Sequence, residues 1–133
     1  MEKKKIICDT DVMIDYWDTT KFRHAITKKT LEKSIELNNI ILSAITKMEL
    51  MLGATSKSDM TKISKKLHRF NIALINNEIT IQSFDLLEKY RLSHGLLLAD
   101  SLIAATALVS GFELYTYNTK DFKFISGIQL FTT

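Results

Sequence analysis

Short apolar runs alternate along the chain with longer stretches in which apolar residues recur every three or four positions. The runs Ile6–Cys8, Ile40–Leu42, Leu114–Thr116 and Ile128–Phe131 read as buried strands, and Ile72–Ile75 as a further strand or an extended link. Between them the helical period takes over. Asp11–Trp17 gives a helical turn or two. A longer helix is expected over Phe22–Leu37, ended by Asn38-Asn39. Ser43 or Thr46 is placed to cap a helix that stops near Gly53. Lys57–Arg69 sets Met60, Ile63 and Leu67 on one stripe. Glu78–Ser93 is helical up to the break at His94-Gly95, and Leu98–Val109 up to Ser110-Gly111. Strands alternating with helices predict an α/β fold with a mainly parallel central sheet and helices on both faces. The chain has no proline, repeat or Gly/Ser-rich linker, so its 133 residues are read as one domain, 1–133.

Four acids interrupt this pattern where acids are costly. Asp9 ends the run Ile6-Ile7-Cys8. Glu49 lies in Ile45–Gly53 with no cation at helical spacing, and Asp100 lies among Leu96–Ala105. Asp121 follows the strand-like Leu114–Tyr117 and its exit. Each has an ordinary reading: Asp9 and Asp121 as caps, Glu49 as a surface residue, Asp100 as a first-turn acid favoured by the helix dipole. A carboxylate among apolar neighbours must be hydrogen-bonded, paired or metal-bound. In open α/β sheets chemistry gathers at the carboxyl ends of the strands. If the four acids meet there, a hard divalent cation is the natural neutraliser, and two such ions could stabilise both oxygens of a phosphodiester displacement.

Composition narrows the setting. The chain is 46% hydrophobic and 25% charged, as in ordinary globular proteins, and has no apolar run long enough to span a bilayer. Only Ile6-Ile7-Cys8 follows the basic Lys3-Lys4-Lys5, too little for a signal-peptide core. The single cysteine, Cys8, cannot form an internal disulfide, so a cytoplasmic protein is expected. The net charge of +3 says little, but Lys57, Lys62, Lys65, Lys66 and Arg69 share a segment with one acid, Asp59. Such a segment is either a solvated helix face or a grip for a phosphate backbone. His24, His68 and His94 share no motif and read as surface or loop positions.

The ordered set Ile7-Cys8-Asp9-Thr10-Asp11, Ser43–Gly53, Leu96–Ala107 and Leu114–Phe122 resembles the PIN-domain proteins, and specifically the VapC-type ribonuclease toxins of prokaryotic toxin–antitoxin pairs. The resemblance covers essentially the whole chain. It implies a PIN-like three-layer fold and a metal site of Asp9, Glu49, Asp100 and Asp121, supported by Thr10, Thr116 and Asn118. It also implies Mg2+ or Mn2+, cleavage of single-stranded RNA, homodimerisation and inhibition by a cognate antitoxin. Asp11 adds a second early acid whose reach to the metal is open. Tyr117 lies beside the site, where packing on the sheet edge is favoured over stacking on a base. Met48, Met51 and Leu52 are candidates either for the core or for a groove that takes an antitoxin segment. Two rivals differ in kind. Asp9-Thr10-Asp11-Val12 also resembles the opening motif of haloacid-dehalogenase-type phosphohydrolases, with Asp9 as nucleophile and Asp11 as general acid, but the late paired-acid segment is missing. The other rival is a non-catalytic module that binds RNA or a partner.

Overall fold

The computed structural model describes residues 3–133; Met1 and Glu2, which head the basic N-terminal stretch, lie outside them. Strands β1 (Ile6–Cys8), β2 (Ile40–Ser43), β3 (Asn71–Ala73) and β4 (Glu113–Tyr115) pair in parallel in the order β3-β2-β1-β4. Ile7 faces Ile41 on one side and Leu114 on the other, which fixes the register at the sheet centre. Side chains alternate across the sheet as the period of two requires. Ile6, Cys8, Ile40 and Leu42 enter one core with Met13 and Leu31, whereas Ile7 and Leu114 enter a second with Ile103 and Leu86. The result is three layers.

Helices α1 (Thr10–Trp17), α2 (His24–Lys29), α3 (Ala44–Met51), α4 (Lys57–Leu67), α5 (Asn77–His94) and α6 (Leu98–Ser110) make the outer layers. Their ends are set locally. Ser43 accepts from the Ile45 N–H at 3.2 Å and caps α3, so Thr46 sits inside that helix. Ser56 and Asn76 cap α4 and α5 in the same way. Gly95 ends α5 at φ 68, a conformation that disfavours a side chain.

Two expectations change. The helix expected over Phe22–Leu37 begins at His24 and widens into a π-helical turn over Thr30–Ile35. The Thr30 hydroxyl donates to the Ile26 carbonyl at 2.8 Å and competes for the helical ladder. Glu36 then stops the helix at φ 75, ψ 135. The run Ile128–Phe131 forms no full strand. It touches the sheet through one parallel bridge, Leu114 to Leu130, with two 2.8 Å backbone bonds at Leu114. The Phe131 ring packs on Tyr115. Among the described residues no helix is long and apolar enough to cross a membrane.

Candidate active site

Parallel strands deliver their carboxyl ends to one edge, and the chain leaves β1 there at Asp9. This residue is extended (φ −70, ψ 162) and caps α1. One carboxylate oxygen accepts the Thr10 N–H at 2.7 Å, and the other accepts the Thr116 hydroxyl at 2.8 Å. Asp9 is therefore both a cap and a wall of the edge. Thr116 lies one residue past β4 and is itself fixed, since its hydroxyl accepts the Asn118 N–H at 3.0 Å. The Thr10 hydroxyl donates to Glu49 of α3 at 2.6 Å and meets the hydroxyl of Thr46, which is fully buried.

Asp100 lies in the first turn of α6, whose N-cap position, Leu97, offers no side-chain acceptor. Asp121 closes the 3₁₀ turn Thr119–Asp121, anchored by its N–H to the Asn118 carbonyl at 2.9 Å. Electrostatics show that these elements converge. Burial pushes the Asp100 carboxyl up to about 6, and the charges of Asp9, Asp121 and Glu49 all add to the shift. Asp9 is raised as well, by burial first and by Glu49, against the lowering hydrogen bonds from Thr116 and Thr10. The ion pairs among the described residues lie elsewhere, so no lysine or arginine neutralises the four acids. Among the described residues no three acidic, thiol or imidazole side chains are drawn together closely enough to hold a metal ion by themselves. The donors are all carboxylate and hydroxyl oxygens in an open edge. That set fits a hard cation such as Mg2+, which takes one or two carboxylates and completes its shell with water and phosphate.

Asp11 takes a different part. Its carboxylate accepts the Val12 N–H at 2.8 Å, the Tyr117 N–H at 3.0 Å and the Asn118 side-chain amide at 3.2 Å. It clamps the exit of β4 to α1, and Asn118 reaches Asp11 rather than any of the four acids. Burial and then Asp9 push its carboxyl up to about 7, while these N–H donors and Arg23 oppose the shift. Tyr117 is packed: its hydroxyl bonds Tyr115 and Thr27, and Arg23 lies 4.1 Å above its ring. Arg23 also pairs with buried Asp15 at 3.0 Å. Asp15 and Arg23 were not singled out from sequence, and Thr46 only as a candidate cap. A buried Asp15 four residues after Asp11 was the available signal. Cys8 is fully buried and its thiol is pushed up by burial, then by Asp9 and Asp11, so it stays protonated.

Residues 6–127 match the PIN domain. The chain therefore belongs to the PIN-domain family. Within that family its likeness is to the VapC proteins. It is 33% identical over 126 residues to Ribonuclease VapC1 of Methanocaldococcus jannaschii, covering 92% of this chain and 82% of that protein. A toxin–antitoxin complex from Klebsiella pneumoniae superposes with a TM-score of 0.75 at 33% identity, over 93% of this chain and 95% of the other. The DNA-bound VapBC of Salmonella typhimurium superposes at 0.76 with 22% identity over 96% and 97%, a likeness of fold. The haloacid-dehalogenase reading falls with this membership, and Asp11, holding three N–H groups, is not placed as a general acid.

Proposed function

We propose that this chain is a ribonuclease toxin. It hydrolyses phosphodiester bonds of single-stranded RNA at the four-acid edge, with Mg2+ or Mn2+ as cofactor, in the cytoplasm, and a cognate antitoxin holds it in check. The observation that carries the reading is Asp100: burial and the charges of Asp9, Glu49 and Asp121, acids on three other elements, all raise its carboxyl, and no ion pair among the described residues reaches any of the four. Asp9, Glu49, Asp100 and Asp121 are the proposed metal holders. A bound divalent ion there supplies an acidified water and neutralises phosphate charge. The chain's own part is orientation. The Thr116 hydroxyl occupies one face of Asp9 and the Thr10 hydroxyl one oxygen of Glu49, so each acid presents its remaining lone pairs in a set direction.

For the antitoxin, a cleft of about 370 Å3 lies between α1, α3 and α4, lined by Ile14, Trp17, Leu50 and Ile63. Met48 on α3 and Leu52 at its C-terminal cap are exposed, while Met51 packs against the core. For the expected homodimer, Ile81, Phe84 and Leu92 lie exposed along α5.

The test is cleavage of a short unstructured RNA by the purified chain. Cleavage is expected with Mg2+ or Mn2+, and it should stop with EDTA, in Asp9→Asn and on adding antitoxin. Metal-independent cleavage, or cleavage undiminished in folded Asp9→Asn, would remove the acids from the chemistry.

A further inference from the structure

Beside the acid edge is a cavity of about 250 Å3 whose walls differ sharply in character. Asp100 and Asp121 form one side, so whatever fills it touches the acid site directly. The other side is aromatic. The His94 ring lies flat on Phe124, with centroids 4.2 Å apart and an interplanar angle of 12°. Tyr90 meets both edge-on, at 5.8 Å from His94 and 5.2 Å from Phe124. Lys120 adds a cation at the rim, and Leu97 an apolar lip. The wall is held in place before any ligand arrives. Arg91 donates to the Gly95 and Leu96 carbonyls at 3.1 Å each, and the Tyr90 hydroxyl accepts the Ser126 N–H at 3.1 Å.

We infer that this cavity is a nucleobase subsite: it receives one unpaired base of the RNA beside the scissile phosphodiester, stacked on the face of the His94 ring that Phe124 leaves free, with Lys120 on the adjoining phosphate. The inference rests on the ribonuclease reading and says how that site chooses its substrate. Three features support it. The volume is below the roughly 300 Å3 at which pockets for drug-sized ligands begin, so one ring system fits and a folded element does not. An aromatic ring face, backed by a second ring and next to a lysine, is how single-stranded nucleic acid is gripped without reading its sequence. A base can enter such a pocket only when it leaves its stack, which excludes duplex RNA at the cleavage position. His94 is then a specificity-determining residue in contact with substrate, separate from the four acids.

The experiment uses the full chain and short single-stranded RNAs, each carrying 2-aminopurine at one position. In the cleavage-silent Asp9→Asn background, fluorescence should fall on binding at one position flanking the cleaved bond. The drop should vanish in Asp9→Asn/His94→Ala and persist in Asp9→Asn/His94→Phe, which keeps a stacking ring. In the active protein, His94→Ala should raise KM about tenfold, the size of a lost base–aromatic stack. Its kcat and Mn2+ midpoint should stay as in wild type, and His94→Phe should restore KM. An unchanged KM in His94→Ala, position-independent quenching, or a fall in kcat at constant KM would each overturn the subsite. If the wild type cleaves no RNA with either metal, the ribonuclease reading fails, while position-specific quenching still reports the pocket. If no RNA binds at all, both fall.

Discussion

Asp9 serves two ends with one carboxylate, capping α1 and facing Glu49, and the competition between them makes its substitutions informative. Asp9→Asn, Glu49→Gln and Asp100→Asn are each expected to lower cleavage by more than the roughly 10- to 100-fold typical of partners that only orient a ligand. Their melting temperatures should be unchanged or higher than wild type, because removing one charge relieves the repulsion among the rest. Asp121→Asn should be milder, with water replacing a peripheral ligand. Steady-state cleavage beside thermal melts in EDTA reads both, and loss of fold in the first three would make the acids structural. The raised carboxyls also set a pH dependence. Asp100 at about 6 and Asp11 at about 7 bind protons more tightly folded than unfolded. Their contribution to stability is thus full below the ordinary carboxylate value and is lost as pH rises through about 6 to 7. Metal-free protein should melt progressively lower between pH 4 and 8. Asp100→Asn should flatten that slope, as should saturating Mg2+. Asp9, Glu49 and Asp100 stood out in sequence because each interrupts an apolar run, and Asp121 because it follows a strand-like run and its exit; their shared role as metal holders is the proposal. Asp11 was not separable from them there, since its three N–H donors come from α1 and from residues more than a hundred positions away.

At the scale of elements, strand and helix positions followed from periodicity, and the departures have local causes. Thr30 and Glu36 turned one expected helix into an α segment, a π turn and a stop, through a hydroxyl bond and a positive φ that no apolar pattern carries. Glu36 holds a conformation that costs a non-glycine residue roughly 1–3 kcal/mol. Glu36→Gly should therefore raise stability by about 1 kcal/mol, after allowing for the freer unfolded chain. The ion pair it loses with Lys3 is exposed on both sides and contributes little. Urea melts measure the difference, and a destabilised variant would mean that the Lys3 contact outweighs the strain. The clamp on β4 gives the opposite case. Asp11→Ala removes three acceptor contacts and leaves the Tyr117 N–H without its partner, a loss of about 1–3 kcal/mol partly offset by relieved repulsion with Asp9. Amide exchange should speed up at Tyr117 and Asn118 before it does at Ile7. Equal protection at all three would show that the β4 exit is held by something else.

On the molecular scale, the order of strands and helices in the sequence carried the α/β class, while side-by-side placement of distant segments was hidden. The cavity between His94, Phe124 and Asp100 is one such product of tertiary packing. The basic face of α4 carries a prediction of its own: Lys57 and Lys65 lie exposed along it beside His68. Lys62→Glu with Lys65→Glu should weaken RNA binding and flatten its salt dependence by about 1 to 2 in the log–log slope, given some 0.7 per phosphate contact in single strands. An unchanged slope in a binding titration over salt would leave α4 a solvated surface. One contact bears on when such a protein becomes dangerous to its maker. The Thr116 hydroxyl that steers Asp9 lies 107 positions later in the chain. At 5–20 residues per second, a ribosome needs roughly five to twenty seconds to add that partner once Asp9 has been joined to the chain. Throughout that interval Asp9 lacks the hydroxyl that orients it, so on the proposed reading the acid edge is assembled only when synthesis is nearly done.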